Sequence, residues 1–153
     1  MITSVFIPGN QDIGEPLDIR REVFVEEQGY PETSEFDEFD ASALHLMVYV
    51  DEQSAGTGRI WHDGTRFWIG RLAVRGPYRG QQVGDLALRL LLYKAFSTGA
   101  DTLFVKAQTY LRPFYEKFGF RAVGEEYTEA GRARIEMRVG KDEVKYPSAC
   151  HHQ

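Results

Sequence analysis

The chain has 153 residues, of which 42% are hydrophobic, 27% charged and 13% aromatic. This length allows one compact unit, and the composition excludes a disordered tail, a collagen-like repeat and a small disulfide-stabilised protein. The formal net charge of −5 argues against a general attraction to nucleic acid or anionic lipid. We therefore expect a single domain over residues 1–153, with its core at about residues 17–139.

Short sequence signals indicate where in the cell the protein is expected and whether it binds a metal. No apolar run reaches the roughly 18 to 20 residues of a membrane-spanning helix, and residues 1–8 lack the basic and apolar regions of a secretory signal. The single cysteine, Cys150, cannot form a disulfide within the chain. His62, His151 and His152 have no spaced Cys, Asp or Glu partners that would form a ligand set. We expect a cytoplasmic protein without a metal, a membrane partner or a nucleic-acid partner.

Acidic residues are concentrated in one part of the chain. Ten of them lie from Glu22 to Glu52, where there is no Lys or Arg, so the rest of the chain carries 18 minus 13, or +5. One interpretation is a solvated acidic loop. The other is a negative wall that attracts a basic substrate.

The first predicted element is a helix over residues 16–28. Pro16 suits the first helical position, and Gly29 followed by Pro31 is a stop signal. An acidic loop is expected from there to Asp40. The side chains expected to be buried on this helix are Leu17, Val23 and Phe24.

Three antiparallel strands are predicted next. Side chains alternate over residues 44–50 with the period of a strand that has one face in the core. Two further strand candidates, residues 57–61 and 66–74, flank the dipeptide Asp63-Gly64. This dipeptide suits a tight hairpin because glycine tolerates a positive φ.

The second half of the chain combines helices and strands. Leucines that recur at intervals of four predict a helix over residues 84–96, and a β-branched and aromatic run predicts a strand over residues 102–107. A strand, a helix and a strand in this order imply a parallel pair with the helix as the crossover. A short helix over residues 113–118 and strands near residues 120–123 and 133–139 complete the chain. The predicted class is α/β, with a mixed, mainly antiparallel sheet, a central parallel strand pair and flanking helices.

The stretch over residues 69–85 carries the clearest functional signal. It passes from a strand through a turn rich in Gly and Arg into a helix, whose free amides and dipole attract anions. The turn is not a P-loop, because Gly84 is followed by Asp85 where Lys would stand. The glycines of residues 56–58 do not begin a dinucleotide fingerprint, since Trp61 stands at the third glycine position.

Three parts of the chain resemble the GCN5-related N-acetyltransferase (GNAT) family. Residues 72–85, LAVRGPYRGQQVGD, resemble its acetyl-CoA-binding segment. Residues 104–108 followed by residues 112–120 are similar to its later motif, a strand and then a helix that bears a tyrosine. Residues 19–31 with residues 35–40 resemble its small stand-alone ElaA-like branch. The resemblance covers nearly the whole predicted core.

The resemblance implies a GNAT fold and an enzyme that uses acetyl-CoA as co-substrate. The acetyl group would pass directly to a primary amine of a small molecule or peptide while both substrates are bound. Family members often form dimers, so the resemblance leaves a homodimer open. One residue departs from the family pattern, because Gln82 stands where the first glycine of the diphosphate loop is usual. The cofactor-binding residues implied by the resemblance are Leu72, Ala73, Val74, Arg79, Gly80, Gln81, Gln82, Val83, Gly84, Asp85, Gln108 and Lys117.

The resemblance also implies a proton donor at the reaction centre, whereas the usual base of the family is missing. Tyr115 would donate a proton to the departing thiolate, because a phenol stays protonated at neutral pH. Several members place a glutamate base on the central strand, where this chain has Arg71. A carboxylate or an ordered water would take the amine proton, and the carboxylate that we expect in this role is Glu27, on the first helix. The alternative interpretation of Glu27 is a solvent-exposed member of the acidic run.

The acceptor is expected to contact Gln28 and Arg71. Residues 32–40 would lie over the acceptor groove and favour a cationic amine, whereas Arg71 favours an acceptor that also carries a carboxylate. The alternative to an enzyme is a non-catalytic acyl-CoA-binding or sensor domain. Two features favour this alternative, namely the departure at Gln82 and the missing carboxylate on the central strand.

Overall fold

A computed structural model describes residues 1–148, so that Cys150, His151 and His152 lie outside the described part of the chain. The strands form one sheet in the order β1-β2-β3-β4-β5-β8-β6, and β7 pairs with β8. Every strand pair is antiparallel except β4 with β5. The strands are β1 (Ile2–Pro8), β2 (Leu44–Val50), β3 (Gln53–His62), β4 (Phe67–Val74), β5 (Thr102–Gln108), β6 (Arg121–Ala122), β7 (Tyr127–Glu129) and β8 (Arg132–Gly140).

The helices flank this sheet, and some differ from their predicted form. The first helix begins earlier than predicted and changes its winding, because α1 continues directly as the π-helical segment Arg21–Glu27. The predicted acidic loop forms α2 and a 3₁₀ turn, Glu38–Ala41, which the Asp37 side chain caps. No helix within residues 1–148 has the length and apolar character needed to cross a bilayer. The α-helices are α1 (Gly14–Arg20), α2 (Glu32–Glu35), α3 (Val83–Ser97) and α4 (Arg112–Glu116).

The predicted mixed α/β class is confirmed by the sheet. The strands predicted from residue 44 to residue 74 form the antiparallel set β2, β3 and β4, and α3 is the crossover between the parallel strands β4 and β5. Strands β1 and β7 were not predicted. Their side chains are mostly exposed, so these strands lack the alternation of buried and polar residues that marks a strand in sequence.

The parallel strands β4 and β5 separate after a short contact. Phe67 pairs with Leu103 and Trp68 pairs with Phe104, and β5 pairs with no later residue of β4. Beyond this point β5 continues beside β8 only. The sheet is therefore open between the second half of β4 and the end of β5.

A β-bulge distorts β4 just beyond the point where β4 and β5 separate. Thr57 of β3 pairs with Ala73, but Arg59 pairs with Gly70, so β4 has one more residue than β3 between these two pairs. Arg71 lies in the bulge with a φ of 50°, a left-handed conformation that is uncommon for arginine. The bulge turns the Arg71 side chain toward the opening, whose lining includes Arg71.

Helix α3 packs closely on the face of the sheet that carries the main core. Its side chains Leu88, Leu91 and Leu92 are fully buried in that core. A Cβ atom on Gly58 of β3 would lie 2.7 Å from Leu91 Cδ1, which is closer than two carbon atoms can approach. Gly58 therefore serves helix–strand packing, in agreement with its exclusion from a dinucleotide fingerprint.

Helix α1 and its π-helical continuation cover the other face of the sheet. Val23 and Phe24 are buried there as predicted, next to Met47 of β2. Leu17, predicted to be buried, is only half-buried. Ile19 is buried instead, because α1 turns Ile19 rather than Leu17 toward the sheet.

Candidate active site

A cavity of about 540 Å³ lies in the opening between β4 and β5. It reaches from the start of α3, where Arg79 and Gly84 line it, to Gln108 at the end of β5 and Tyr115 on α4. Of the twelve residues that the resemblance assigns to the cofactor, those that line the cavity are Leu72, Ala73, Val74, Arg79, Gly84 and Gln108.

The turn that precedes α3 leaves backbone amides open. The first hydrogen bond of the helix runs from the Leu86 amide to the Gln82 carbonyl, so the amides of Val83, Gly84 and Asp85 have no partner within the helix. A Cβ atom on Gly80 would meet nothing within 4 Å, and one on Gly84 would meet only Val74 Cγ2, at 3.7 Å. The geometry fits a phosphate group that approaches the backbone closely.

Gln82 fills the position where the family usually has glycine. It adopts a left-handed conformation, with a φ of 63° and a ψ of 18°, immediately before α3. Glycine adopts this conformation without a steric cost, whereas a residue with a side chain does so less readily. The turn therefore keeps the backbone course that a glycine favours although glutamine occupies the position.

Four other residues predicted to bind the cofactor do not line the cavity and have other contacts or positions. Asp85 forms an ion pair with Arg89, at 2.6 Å, and the side-chain amide of Gln81 donates to the Pro77 carbonyl. Val83 is buried in the core. Lys117 is exposed, with its ammonium group 5.5 Å from the centre of the Phe114 ring.

Glu27, the predicted base, contacts the turn before α3. Its carboxylate accepts hydrogen bonds from the Arg79 guanidinium at 2.9 Å, and Arg79 Nε also donates to the Val74 carbonyl at 2.9 Å. One helical turn earlier, Glu22 forms an ion pair with Arg75 at 3.2 Å. Glu27 is not among the residues that line the cavity. The structure thus brings Glu27 to Arg79 and not to Tyr115.

Tyr115 is enclosed by aromatic rings at the wall of the cavity. It is 5% exposed, and its ring contacts Phe114 and Phe120 edge-on at centroid distances of 5.2 Å and 5.4 Å. Burial raises the pKa of the Tyr115 phenol well above its usual value. The group therefore stays protonated at neutral pH and can act only as a proton donor there.

Gln28 and Gln108 join the two sides of the cavity. The Gln108 side-chain amide donates to Gln28 Oε1 at 2.8 Å, and both residues line the cavity. Arg132 of β8 donates to the Gln28 backbone carbonyl at 2.8 Å, which fixes the end of the π-helical segment. A predicted cofactor residue and a predicted acceptor residue are therefore in direct contact.

The acidic segment forms a buried network with three arginines rather than a free negative wall. The network consists of Arg20, Arg59, Arg71, Glu35, Asp37 and Asp40. Arg20 donates to Glu35 and Asp40, at 2.8 Å and 2.7 Å. Arg59 donates to Asp37 and Asp40, both at 2.7 Å, and Arg71 Nη2 donates to Asp37 at 3.2 Å.

These three carboxylates are not free to attract a cation, because each is paired with arginine. Other acidic residues of the run are exposed, as the solvated interpretation expects; they include Glu26, Glu38, Asp51 and Glu52. Burial by itself raises the pKa of Asp40, but the hydrogen bonds and charges of Arg20 and Arg59 outweigh it and lower the pKa to about 2. Burial raises the pKa of Glu35, and the charges of Arg71 and Arg20 offset that rise only in part.

Known proteins are similar to this chain in both sequence and fold. The sequence pattern described as an acetyltransferase (GNAT) domain matches residues 10–141. YjcF of Bacillus subtilis, described as an uncharacterized N-acetyltransferase, is 32% identical over 135 residues, which are 88% of this chain and 96% of that protein. The crystal structure of ElaA from Escherichia coli has a TM-score of 0.82 at 27% identity, covering 90% of this chain and 99% of that one.

An acyl-CoA N-acyltransferase from Pseudomonas aeruginosa is similar as well. Its crystal structure has a TM-score of 0.80 at 27% identity and covers 90% of this chain and 99% of that one. These matches agree with the resemblance read from residues 72–85 and 112–120 and with the sheet that opens between β4 and β5. The chain belongs to the GNAT acetyltransferase family, with ElaA among its relatives.

Proposed function

We propose that this protein is an N-acetyltransferase that transfers an acetyl group from acetyl-CoA to a primary amine of a small molecule or peptide, with both substrates bound together. One observation carries the proposal. A single cavity is lined by Arg79 and Gly84 at the start of α3 and by Gln108 and Tyr115 at its other end. This supports a channel with the diphosphate near α3 and the thioester near Tyr115.

The open edge of β4 supports the orientation of the donor. Leu72 and Val74 line the cavity, and β5 pairs with no residue of β4 beyond Trp68. The pantetheine amides would pair with this edge as an added strand does. The diphosphate would lie at the amides of residues 80–85, with Gln108 against the pantetheine arm and Lys117 near the nucleotide.

The reaction needs a nucleophile, a proton acceptor and a proton donor. The amine nitrogen attacks the thioester carbonyl carbon, a C–N bond forms and the C–S bond breaks. The departing thiolate takes the proton of the Tyr115 hydroxyl, and the proton lost by the amine passes to a base and through solvent restores Tyr115. Because both substrates are held in one cavity, their alignment supplies much of the rate.

Glu27 is the base that we propose, and it must first leave Arg79. A diphosphate and the Glu27 carboxylate would compete for the same guanidinium, because both accept its hydrogen bonds. Binding of acetyl-CoA would therefore release Glu27. Because Glu27 lies at the diphosphate end of the cavity, it would take the amine proton through ordered water.

A non-catalytic acyl-CoA-binding or sensor domain is the second candidate. The observation in its favour is that Glu27 is bound to Arg79 and does not line the cavity. Such a domain would bind acetyl-CoA in the same channel but would lack a base near the thioester.

Two measurements separate these candidates. Calorimetry measures acetyl-CoA binding, and release of the free thiol is followed over a panel of primary amines. We expect both binding and acceptor-dependent thiol release. Binding without release for any amine would favour the sensor, and the absence of binding would contradict both candidates.

A further inference from the structure

Aromatic side chains line the part of the cavity beside the first half of β4, which we call the aromatic arm. Trp61 of β3 and Trp68 of β4 are strand partners, and their rings stack at a centroid distance of 6.3 Å with an angle of 16° between their planes. Both line the cavity, as does Phe39. Trp68 and Val74 are separated by roughly 20 Å at 3.3 Å per strand residue, so this arm lies away from the proposed diphosphate end.

Three arginines that line the cavity have buried N–H groups without a hydrogen-bond partner. Within residues 1–148 these groups are Nε of Arg59, Arg71 and Arg134. Arg59 is 1% exposed, and Arg71 Nε lies 3.3 Å from Glu35 Oε2 without hydrogen-bond geometry. Buried polar groups normally have partners, so each of these donors keeps unused hydrogen-bonding capacity beside the cavity.

The charges along the arm also favour an anion. Glu35 and Asp37 are paired with arginines, whereas Asp63, which accepts from Trp68 Nε1 and two backbone amides, keeps its charge. The five cations that line the cavity still outnumber the four carboxylates; they are Arg59, Arg71, Arg79, Lys106 and Arg134 against Glu35, Asp37, Asp63 and Glu129. Arg134 donates to the Lys106 carbonyl and the Tyr30 hydroxyl, both neutral groups. Within the described residues, no carboxylate lies within ion-pair distance of Arg134, so its positive charge is not compensated by contact.

We propose, on the basis of the acetyltransferase function above, that the acceptor is a small aromatic amino carboxylate. Its ring would lie against the pair Trp61 and Trp68, of which Trp61 is covered on one face by the Arg59 guanidinium at 3.9 Å. Its carboxylate would bind the Arg71 guanidinium, whose side chain is 21% exposed at the cavity wall. Arg71 is the specificity-determining residue of this arm. This class replaces the cationic amine that the acidic segment implied, because the two carboxylates of that segment that line the cavity, Glu35 and Asp37, are already paired with arginines.

Arg134 connects this arm with the reaction centre. Its Cα is the strand partner of Gln108, and its positive charge opposes the rise in pKa that burial gives Tyr115. An acceptor bound at Arg71 would extend along the cavity toward Arg134 and the Tyr115 end. Its amine would face the thioester while its carboxylate stays among the arginines.

The chain provides its own probe of this arm, because its two tryptophans are Trp61 and Trp68. Tryptophan emission and calorimetry would follow titrations with 3-phenylpropionate, its amide and phenethylamine, without acetyl-CoA. Charge-assisted hydrogen bonds favour the carboxylate, so we expect it to bind roughly ten- to hundredfold more tightly than the amide. Equal binding of the amide, tighter binding of phenethylamine, or no binding of 3-phenylpropionate by either method would overturn the proposal.

Variants of Arg71 test its role in the same assay. Arg71→Met should remove most of the preference for the carboxylate, and Arg71→Lys should restore part of it because the charge returns without the planar fork. Arg66→Met is the matched control, since Arg66 lies beside β4, is exposed and does not line the cavity. An unchanged preference for the carboxylate in folded Arg71→Met would overturn the assignment of Arg71. If that variant does not fold, the binding of the three ligands to the wild-type protein still tests the proposal.

This assay is independent of the proposed function. A protein that binds 3-phenylpropionate but never transfers acetyl groups would contradict the enzyme and not the anion-binding arm. A protein that acetylates phenylalaninamide and phenethylamine as fast as phenylalanine would keep the enzyme and remove the proposed acceptor class.

Discussion

Tyr115 combines a polar hydroxyl with an aromatic environment that keeps it protonated. We expect Tyr115→Phe to lower kcat roughly hundredfold or more, because general-acid catalysis commonly contributes that much. The dissociation constant for acetyl-CoA should not change, since the ring and its packing remain. Thiol-release kinetics and calorimetry measure the two quantities, and unchanged turnover would remove Tyr115 from the mechanism.

Glu27 has two proposed effects that one substitution separates. Glu27→Gln removes the negative charge that competes for Arg79, so acetyl-CoA should bind about two- to fivefold more tightly, as expected for a partly exposed ion pair. If Glu27 is also the base, kcat should fall roughly hundredfold. Glu22→Gln is the control, because Glu22 pairs with Arg75 instead. Unchanged turnover in Glu27→Gln would leave water as the proton acceptor.

Asp40 makes stability depend on pH. Its pKa of about 2 in the folded protein lies below the value of about 3.9 expected for an unfolded chain, so its ionised form stabilises the fold. This contribution is complete above about pH 4 and is lost as the pH falls toward 2. In urea unfolding, Asp40→Asn should be less stable than wild type at pH 6 to 7, and the difference should shrink below pH 4. A difference that is constant from pH 7 to pH 3 would contradict this assignment.

At the level of single residues, the parts of the site that could be predicted were those whose residues lie close together in the sequence. Residues 79–85 lie in one short turn, so their glycines and arginine could indicate an anion site before any fold was known. The pairs Arg20–Glu35, Arg59–Asp40 and Arg71–Asp37 are separated by 15, 19 and 34 residues. Only the folded sheet brings them together, so the acidic segment looked unpaired in sequence.

The turn and helix from Arg79 to Ser97 form the element on which the proposed donor site depends. Gly84→Ala tests this element, because a Cβ there has room in the protein but would occupy space next to the amides. We expect the free energy of unfolding to rise by up to about 0.5 kcal/mol, since alanine favours a helix over glycine. Acetyl-CoA should nevertheless bind about tenfold more weakly.

The same element offers a matched control. Ser97→Ala improves helix propensity at the exposed opposite end of α3 and should leave acetyl-CoA binding unchanged. Urea unfolding and calorimetry measure both variants. Normal acetyl-CoA affinity in Gly84→Ala would mean that phosphate does not approach this part of the turn.

Element types with a strong period were predicted correctly, and their local distortions were not. The leucine repeat of α3 and the alternation in β2 were sufficient because one face of each is buried. The π-helical winding of Arg21–Glu27 and the bulge at Arg71 are not marked by any such period in the sequence. These two distortions carry Gln28 and Arg71 into the cavity wall, so the acceptor side was the least predictable part.

For the whole molecule, net charge is a poor guide to its ligand. The chain carries −5 overall, yet the buried carboxylates face arginines and the cavity presents unpartnered arginine donors. The electrostatic field in a cleft depends on how its charges are paired, not on their total. The acidic segment therefore contributes to the fold around the acceptor arm, and an anionic acceptor remains compatible with an acidic protein.

The central proposal is that the opening between β4 and β5 binds acetyl-CoA with its diphosphate at the start of α3. A crystal structure of the protein with acetyl-CoA would test it directly. We expect diphosphate oxygens within hydrogen-bond distance of the amides of residues 80–85, Arg79 released from Glu27, and the thioester sulfur beside the Tyr115 hydroxyl. An empty turn, or acetyl-CoA bound outside the β4–β5 opening, would contradict the proposed site and the role of Tyr115.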